Sequence, residues 1–515
     1  MHFDDMPLPI DVVSASASLL DVDTLAVPMF EGDVTVPMAG AGPVVSRRAS
    51  EAITSREFTA KPGTLFVTPA DDEGWRPRRI MLVGLGSRSS YTTDRSRRAA
   101  TAAALAARDR KQRSLAILLS GASAAVDEVQ AVAEGLTLAA YHIGSYKTDP
   151  ESKPLFLKAT IVMPEGTTRD AAEAVRARAG RGSMLGACSN LARALANEPG
   201  NALTPAAFAD AARDIAHGCG LGIEVLEEEQ LTALDMGLML GVARGSAERP
   251  RMVVMRYEPE HARPGVLLGL VGKGVTFDAG GISLKSADGM HKMKGDMSGG
   301  AAVVAAMKAI ATLKPDVRVT GIVPLVENMP GGRALKPGDV LRSAEGKTVE
   351  VLDTDAEGRL ILGDALSYAR TLGATHLIDV ATLTGAIGVA LGGSTTGLFG
   401  SPDWWTGLVQ RAATRAGDRT WLMPLFEDYR DQLRSDIADM TNAGGRPAGA
   451  ITAAMFLKEF TGGLPWAHLD IGSTAWAEEA QPHQPKGPTG VAVRTLAELA
   501  LTADEWTADI SGTAS

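Results

Sequence analysis

The chain has 515 residues and a formal net charge of −10. At ~150 residues per domain this is a multi-domain length. Its 45% hydrophobic and 22% charged residues are those of a globular protein with a sizeable core, which excludes a disordered chain or a disulfide scaffold. The acidic balance argues against a protein held to nucleic acid by phosphate contacts. The 56 glycines exceed the typical share of about 7% and predict many tight turns and close backbone approaches. Cys188 and Cys219 form no CxxC pair and read as reduced, buried thiols. The start, MHFDDMPLPIDVV, has no basic segment leading into an apolar one, so it does not read as a secretory signal. The best apolar run, Gly265 to Gly272, is too short to span a bilayer. The expected location is the cytoplasm, with no membrane partner.

The first 170 or so residues read as an α/β unit. Strands are expected at Thr24 to Phe30, Arg79 to Leu85, Leu115 to Leu119 and Ala159 to Met163. Helices are expected at Arg95 to Arg108 and Val126 to Tyr141. Pro37 to Pro43 reads as a loop and Ala70 to Pro77 as a polar turn. Strands alternating with helices imply a mostly parallel sheet. Met184 to Leu195 reads as a helix bridging into the second half. NEPGNALTP (197–205) is a turn, with Thr204-Pro205 as a helix start.

Beyond it come strands Ile223 to Leu226, Met252 to Tyr257 and Val266 to Val271, then helix Ser298 to Leu313 and strand Arg318 to Val326. Strand Thr348 to Leu352, helix Leu360 to Thr371, strand His376 to Thr382, helix Trp404 to Arg415 and strand Ala467 to Ile471 follow. A last helix ends near Leu501, and the tail Thr502 to Ser515 reads as loosely held. The fold class is therefore α/β in two domains. A smaller N-terminal domain covers 1–180, with a linker helix after it. A larger domain, with a mixed and mostly parallel central sheet, covers 181–515.

Acidic residues gather where predicted strands give way to helices. One cluster is VGKGVTFDAGGISLKSADGMHKMKGDMSGG (271–300), with Lys273, Asp278, Lys285 and Asp296. The other is DTDAEGRL (353–360), with carboxylates at Asp353, Asp355 and Glu357 and the cation Arg359. In open α/β sheets ligands bind at the carboxyl ends of strands. Several acids brought together repel unless some are protonated or cations bind. Two divalent ions relieve that repulsion and activate a water. A lysine ligates metal only as the free amine.

Each piece also has a plainer reading. Thr354 and Glu357 fit an S/T-x-x-E capping box, and a lysine after a strand is usually a solvated end. Gly274 after Lys273 rules out a P-loop, and Gly84-Leu85-Gly86 is too short for a dinucleotide fingerprint. No G-x-S-x-G elbow and no HExxH occurs. His142, His376 and His468 read as core histidines, and His291 as part of a solvated loop.

Together the segments VGKGVTFDAGGISLK, MKGDMSGGAA and DTDAEGRL resemble the leucyl aminopeptidase family of dinuclear-metal exopeptidases. NEPGNALTP, DVATLTGA (379–386), GAITAAMFLKEF (449–460) and WAHLDIGSTAW (466–476) extend the likeness over roughly residues 180 to 500. The N-terminal third resembles the family more loosely, through EGLTLAAYHIGSYK (134–147), as a macro-like domain.

The resemblance implies a tightly held metal on Lys273, Asp278, Asp296 and Glu357. It implies a second, more exchangeable metal on Asp278, Asp355 and Glu357, with the Asp355 carbonyl. Mn2+ and Zn2+ are the expected ions, two per subunit. The implied reaction is release of leucine-like or other apolar N-terminal residues from peptides with a free amine. A metal-bridging hydroxide attacks, Lys285 stabilises the oxyanion, and Arg359 holds a bicarbonate as general base. Thr382, Leu383, Thr384 and Gly385 would bind the peptide backbone. Met293, Thr382, Gly385 and Ala454 would line the first side-chain pocket.

The resemblance also implies a homohexamer. Asp353 departs from the usual asparagine and Ser286 from a common proline. A dipeptidase role on the same site is the alternative within enzymes. Some relatives in the family also bind DNA; here Arg47, Arg48, Arg78, Arg79, Arg95, Arg97 and Arg98 read instead as a solvated face.

Overall fold

The computed structural model describes residues 8–33, 42–121, 125–149, 158–163, 165 and 167–507. The chain divides into two compact units. One is Asp4–Asn190 with Glu478–Gly487, and the other is Leu191–Ala477 with Pro488–Ser515 and Met1–Phe3.

The first unit holds strands β1 (Ile10–Ser14), β2 (Thr24–Phe30), β3 (Leu65–Pro69), β4 (Arg79–Gly86), β5 (Ser114–Leu118) and β6 (Lys158–Met163). They form one sheet in the order β1-β6-β5-β2-β4-β3. Every pairing is parallel except β3 with β4. Helix α1 (Gly42–Thr54) packs Val45, Ala49 and Ala52 on Leu25, Val27 and Ile80. Helices α2 (Thr93–Asp109) and α3 (Ala125–Leu138) pack on the other strand residues, Ala26, Met81 and Ile117. Alternate residues of each strand thus serve different helices, as the period of two requires.

The four strands and two helices expected here are present. Helix α1 and strands β1 and β3 were not anticipated. Of the expected loop Pro37 to Pro43, Gly42 and Pro43 open α1 and the rest lies outside the described residues. Helix α3 stops at Leu138, three residues short of Tyr141. Helix α4 runs from Arg169 to Asn197, far longer than Met184 to Leu195, and contains the division between the units.

The arginines are not a uniformly solvated face. Arg97 is buried between Asp94 and Glu134. Arg47, Arg48, Arg78 and Arg98 are paired with Asp72, Asp71, Asp23 and Asp94 respectively. His142 is half-buried rather than core, and its Nδ1 accepts the Gly144 N–H at 3.2 Å. Cys188 is buried and Cys219 half-buried, both as thiols outside any disulfide.

The second unit is built on a larger mixed sheet. Its strands are β7 (Gly222–Leu226), β8 (Arg251–Tyr257), β9 (Leu267–Gly272), β10 (Gly274–Asp278), β11 (Arg318–Asn328), β14 (His376–Ala381), β15 (Thr396–Ser401), β16 (Thr420–Leu422) and β18 (Trp466–Asp470). The order is β16-β15-β18-β14-β9-β11-β8-β7, with β10 also on β11. The central run β18-β14-β9-β11 is parallel. A small sheet joins β12 (Val340–Arg342), β13 (Thr348–Glu350) and β17 (Met440–Thr441).

Helices α7 (Gly237–Ala243), α9 (Glu357–Thr371) and α12 (Gly449–Lys458) share one core with Val271, Ile322 and Leu377. Helix α8 (Ser298–Leu313) packs on β9, β11 and β14 together with α5 (Pro205–Cys219) and α13 (Val493–Leu501). Thr204 caps α5 by accepting the Ala207 N–H, as its Thr-Pro start predicts. By length and composition alone Met290–Leu313 would cross a membrane, yet 78% of its most apolar window is buried inside the protein.

Two details of the sheet aim the site. Strands β9 and β10 pair with β11 in one register, Ile322 with Val271 and Leu325 with Gly274, so between these pairs the ladder is interrupted only at Gly272 and Lys273. A bulge between Val275 and Phe277 then puts Asp278, not Phe277, opposite Asn328. One inserted residue exchanges the faces of a strand.

The tail is a correction. Trp506 is 1% exposed, its indole N–H donates to Leu499 O at 3.0 Å, and its ring lies 4.9 Å from His376 and 5.3 Å from Trp405. One large apolar side chain holds a segment that has no periodicity of its own. Residues 508–515 of the predicted tail lie outside the described residues. Trp506→Ala should cost ~3–5 kcal/mol, read as a lower denaturant midpoint; an unchanged midpoint would show the tail to be dispensable.

Candidate metal centre

The acids meet at the carboxyl ends of the central strands. Lys273 follows β9, Asp278 ends β10, Asn328 ends β11, Thr382 follows β14 and Asp470 ends β18. Lys273 is 3% exposed, not a solvated strand end. Its Nζ lies 2.8 Å from Asp296 Oδ2 and 2.7 Å from Glu357 Oε1, and it donates to Thr382 O at 2.9 Å. Only glycine at 358 lets this side chain pass, because a Cβ there would sit 2.7 Å from Lys273 Cε. Lys285 Nζ contacts Asp278 Oδ2 at 2.7 Å and pairs with Asp355. Gly280, at φ 87°, makes the turn between them, and a Cβ there would lie 2.8 Å from Asp355 Oδ1.

Asp278, Asp355 and Glu357 each offer a carboxylate oxygen, and the three lie within 4.8 Å of one another. Asp296 joins them through Lys273, and its Oδ1 accepts from the Thr382 hydroxyl at 2.7 Å. The structure therefore brings together Lys273, Asp278, Lys285, Asp296, Asp355 and Glu357, from two segments far apart in the chain. Arg359, two residues into α9, is buried and donates to Asn442 O at 2.8 Å.

Burial governs the charges. It disfavours an ammonium at Lys273, but Asp296, Glu357 and Asp278 outweigh it and raise the pKa. At Lys285 burial is likewise overcome, chiefly by Asp278 and Glu357. Burial, reinforced by Asp278, pushes Glu357 well above the ordinary carboxylate range. Burial also raises Asp296, against the pull of Lys273. Asp355 is raised by burial and Asp278. Burial lowers Arg359 to about 10, which leaves it charged at neutral pH.

Four carboxylates face two ammoniums, and Glu357 Oε2 is buried with no hydrogen-bond partner among the described residues. Oxygen donors with unmet negative charge in a buried space fit divalent cations. The residues present thus suit a metal centre.

The chain matches the model of the cytosol aminopeptidase family's catalytic domain over residues 190–497, and that of its N-terminal domain over residues 26–150. The chain belongs to the cytosol aminopeptidase family. A probable cytosol aminopeptidase of Solibacter usitatus is 45% identical over 482 residues, covering 94% of this chain and 97% of the relative. One from Acidobacterium capsulatum is 46% identical over 448 residues, covering 87% of each. Among solved structures, the bottromycin maturation enzyme BotP in complex with Mn is 39% identical, with a TM-score of 0.82 over 94% of this chain and 99% of that one. A tomato leucine aminopeptidase mutant is 33% identical, with a TM-score of 0.86 over 96% of both chains. This chain is accordingly a hydrolase, a metal-dependent aminopeptidase of that family.

Within this cytosol aminopeptidase centre the segment 382–385, expected to meet the peptide backbone, is partly committed inward. Asp470, fully buried, accepts the Leu383, Thr384 and Gly472 amides through Oδ1 and the Thr384 hydroxyl through Oδ2. Met293 is half-buried in the 3-10 turn Met290–Gly295 that leads to Asp296, and Gly385 opens α10 (Gly385–Leu391) at the surface. Ala454 is fully buried on α12, in the core against which Leu383 packs, and presents no surface to solvent.

Sequence reading missed Asn328, Asn442 and Asp470. Asn328 and Asp470 are polar residues that end apolar strands, a signal that was available, whereas Asn442 follows the two-residue strand Met440–Thr441, which has no apolar run to mark it. It also offered a cap that does not form. Ala356, not Thr354, precedes α9, and no side chain caps it. The Thr354 hydroxyl instead donates to Gly280 O at 2.7 Å and accepts the Ser283 N–H at 2.8 Å. Asn328 Nδ2 donates to Asp278 Oδ1 and Thr354 O at 2.8 and 2.9 Å. Asp353 accepts the Asp355 N–H through Oδ1 at 3.0 Å, a bond that an asparagine oxygen makes equally well.

Thr354 is thus a tether between the two acid loops. Thr354→Val should lower stability by ~1–3 kcal/mol, whereas Thr354→Ser should keep most of it. Equal effects of the two substitutions in urea unfolding would refute the tether.

Proposed function

We propose that this aminopeptidase releases leucine-like and other apolar N-terminal residues from peptides with a free amine. The observation that carries the reading is the convergence of Asp278, Asp355 and Glu357 within 4.8 Å, beside the buried Lys273 and Asp296. Lys273, Asp278, Asp296 and Glu357 would hold one divalent ion, and Asp278, Asp355 and Glu357 the other, Mn2+ or Zn2+ in either place. When bound, the ions supply Lewis acidity and an ionised water at neutral pH, and a bicarbonate at Arg359 supplies a general base.

The protein's own groups do the rest. The acids that hold Lys273 as an ammonium are the same oxygens that would meet the cations. Neutralising them removes the field that keeps its proton and frees the amine. Lys285, charged and half-buried, donates to the oxygen of the scissile carbonyl as negative charge grows there. Arg359 offers a buried guanidinium Nε that has no partner in the described residues, suited to an anion at a helix start.

With the Leu383 and Thr384 amides turned to Asp470, the Leu383 carbonyl and the Gly385 amide remain to meet the peptide backbone. The half-buried Met293 and Leu383 supply apolar surface for the first side chain, with Ala454 behind it. A cytoplasmic location, supported by the relatives' name, and a homohexamer belong to the same reading. Light scattering should return six times the chain mass; a stable monomer would refute the assembly.

The central test is dialysis against a chelator, then addition of Mn2+ or Zn2+, with a panel of aminoacyl amides. Activity should vanish and return with metal, highest on leucine-like amides and absent on N-acetylated ones. Activity that persists without metal, or that accepts blocked amines, would overturn the proposal.

A further inference from the structure

The Val351–Ala356 connection carries Asp353 and Asp355 and delivers Glu357 to the start of α9, yet it has no regular structure of its own. Ala356 sits at φ −102° and ψ 44°, outside the helix. What holds its far side is one residue of a distant strand. Asn442 follows β17 and is fully buried. Its Oδ1 accepts the Leu352 and Asp353 amides at 2.8 and 3.2 Å. Its Nδ2 donates to the Asp353 and Ala356 carbonyls at 2.6 and 3.3 Å.

An asparagine amide has two donor hydrogens and an oxygen with two acceptor sites; all are used on one loop. The main chain of Asn442 is committed to the same segment. Its N–H donates to Glu350 O at 2.9 Å, and its carbonyl accepts from Arg359 at 2.8 Å.

We propose that Asn442 is a positioning residue that sets, from outside, the place of the acid loop and of Arg359 together. The inference rests on the metal-site reading above for what the loop does, but not for how it is held. No residue other than asparagine fits the pattern by size and polarity. Aspartate keeps the two accepting contacts but turns an oxygen towards the Asp353 and Ala356 carbonyls. Serine is too short to reach both sides. Thr354 holds the opposite side of the loop to Gly280 and Ser283, so the loop is clamped between two elements. Losing Asn442 would free one side of the clamp without removing any acid from the chain.

The test uses the full-length protein with Asn442→Asp and Asn442→Ser. Hydrogen exchange, on metal-free protein, should speed up at the Leu352 and Asp353 amides and remain near wild type in β9 and β11. Equilibrium dialysis with Mn2+, read by elemental analysis, should show affinity weakened roughly 10- to 100-fold, as for other outer-layer partners of metal ligands. Turnover should recover at saturating Mn2+.

A variant that melts earlier but keeps wild-type Mn2+ affinity and loop exchange would assign Asn442 to stability alone and overturn the proposal. Should wild type bind no Mn2+, the metal reading fails, while the exchange result still decides whether Asn442 holds the loop.

Discussion

Four carboxylates and two lysine ammoniums share one largely buried space at the ends of the central strands. Everything around them answers to that constraint. Acids packed this closely are stable only if each oxygen meets a cation or a donor, and the protein alone leaves the balance negative. The surroundings must therefore be rigid enough to keep the acids from drifting apart. They must also be close enough for the lysines to reach them. Gly358 and Gly280 serve the second need, since any side chain there would collide with Lys273 or Asp355.

Rigidity comes from the sheet and from a ring of buried polar residues. Parallel strands end together on one edge, so residues distant in the chain arrive side by side. The bulge beside Phe277 turns Asp278 into that edge. Asn328 ties Asp278 to Thr354, Asp470 shapes the loop after β14, and Asn442 holds the loop before α9. None of the three belongs to the converging acids and lysines, and each spends side-chain polar atoms on nearby backbone groups, Asn328 also on Asp278. A buried polar group so fully used specifies one arrangement, because any other leaves it unsatisfied.

Strong local patterns were legible from the sequence. Helix α8 was read to its end residues, Ser298 and Leu313, because an unbroken run of small and apolar residues has one plausible form. Strand β2 was likewise read to its end residues, and β8 and β14 to within one residue, from their apolar runs. Helix α4 was read at less than half its length, since its first half, RDAAEAVRARAGRG, shows no apolar stripe. Strand β10 was missed because Lys273 breaks the apolar run one residue before it begins. The tail was misjudged because the burial of Trp506 depends on the distant His376 and Trp405.

The sequence by itself determined which residue types could do the chemistry and where along the chain they stand. It determined the family, because several separated segments carry its pattern at once. Only the tertiary structure decided which plainer readings were false. Thr354 is a tether rather than a cap, and Lys273 is an interior group rather than a strand end. The Leu383 and Thr384 amides turn to Asp470. The physical reason is the reach of the contacts. Lys273 meets a carbonyl 109 residues away, and Asn442 meets amides some 90 residues back. A local pattern names a donor or an acceptor, but only the fold brings it its partner.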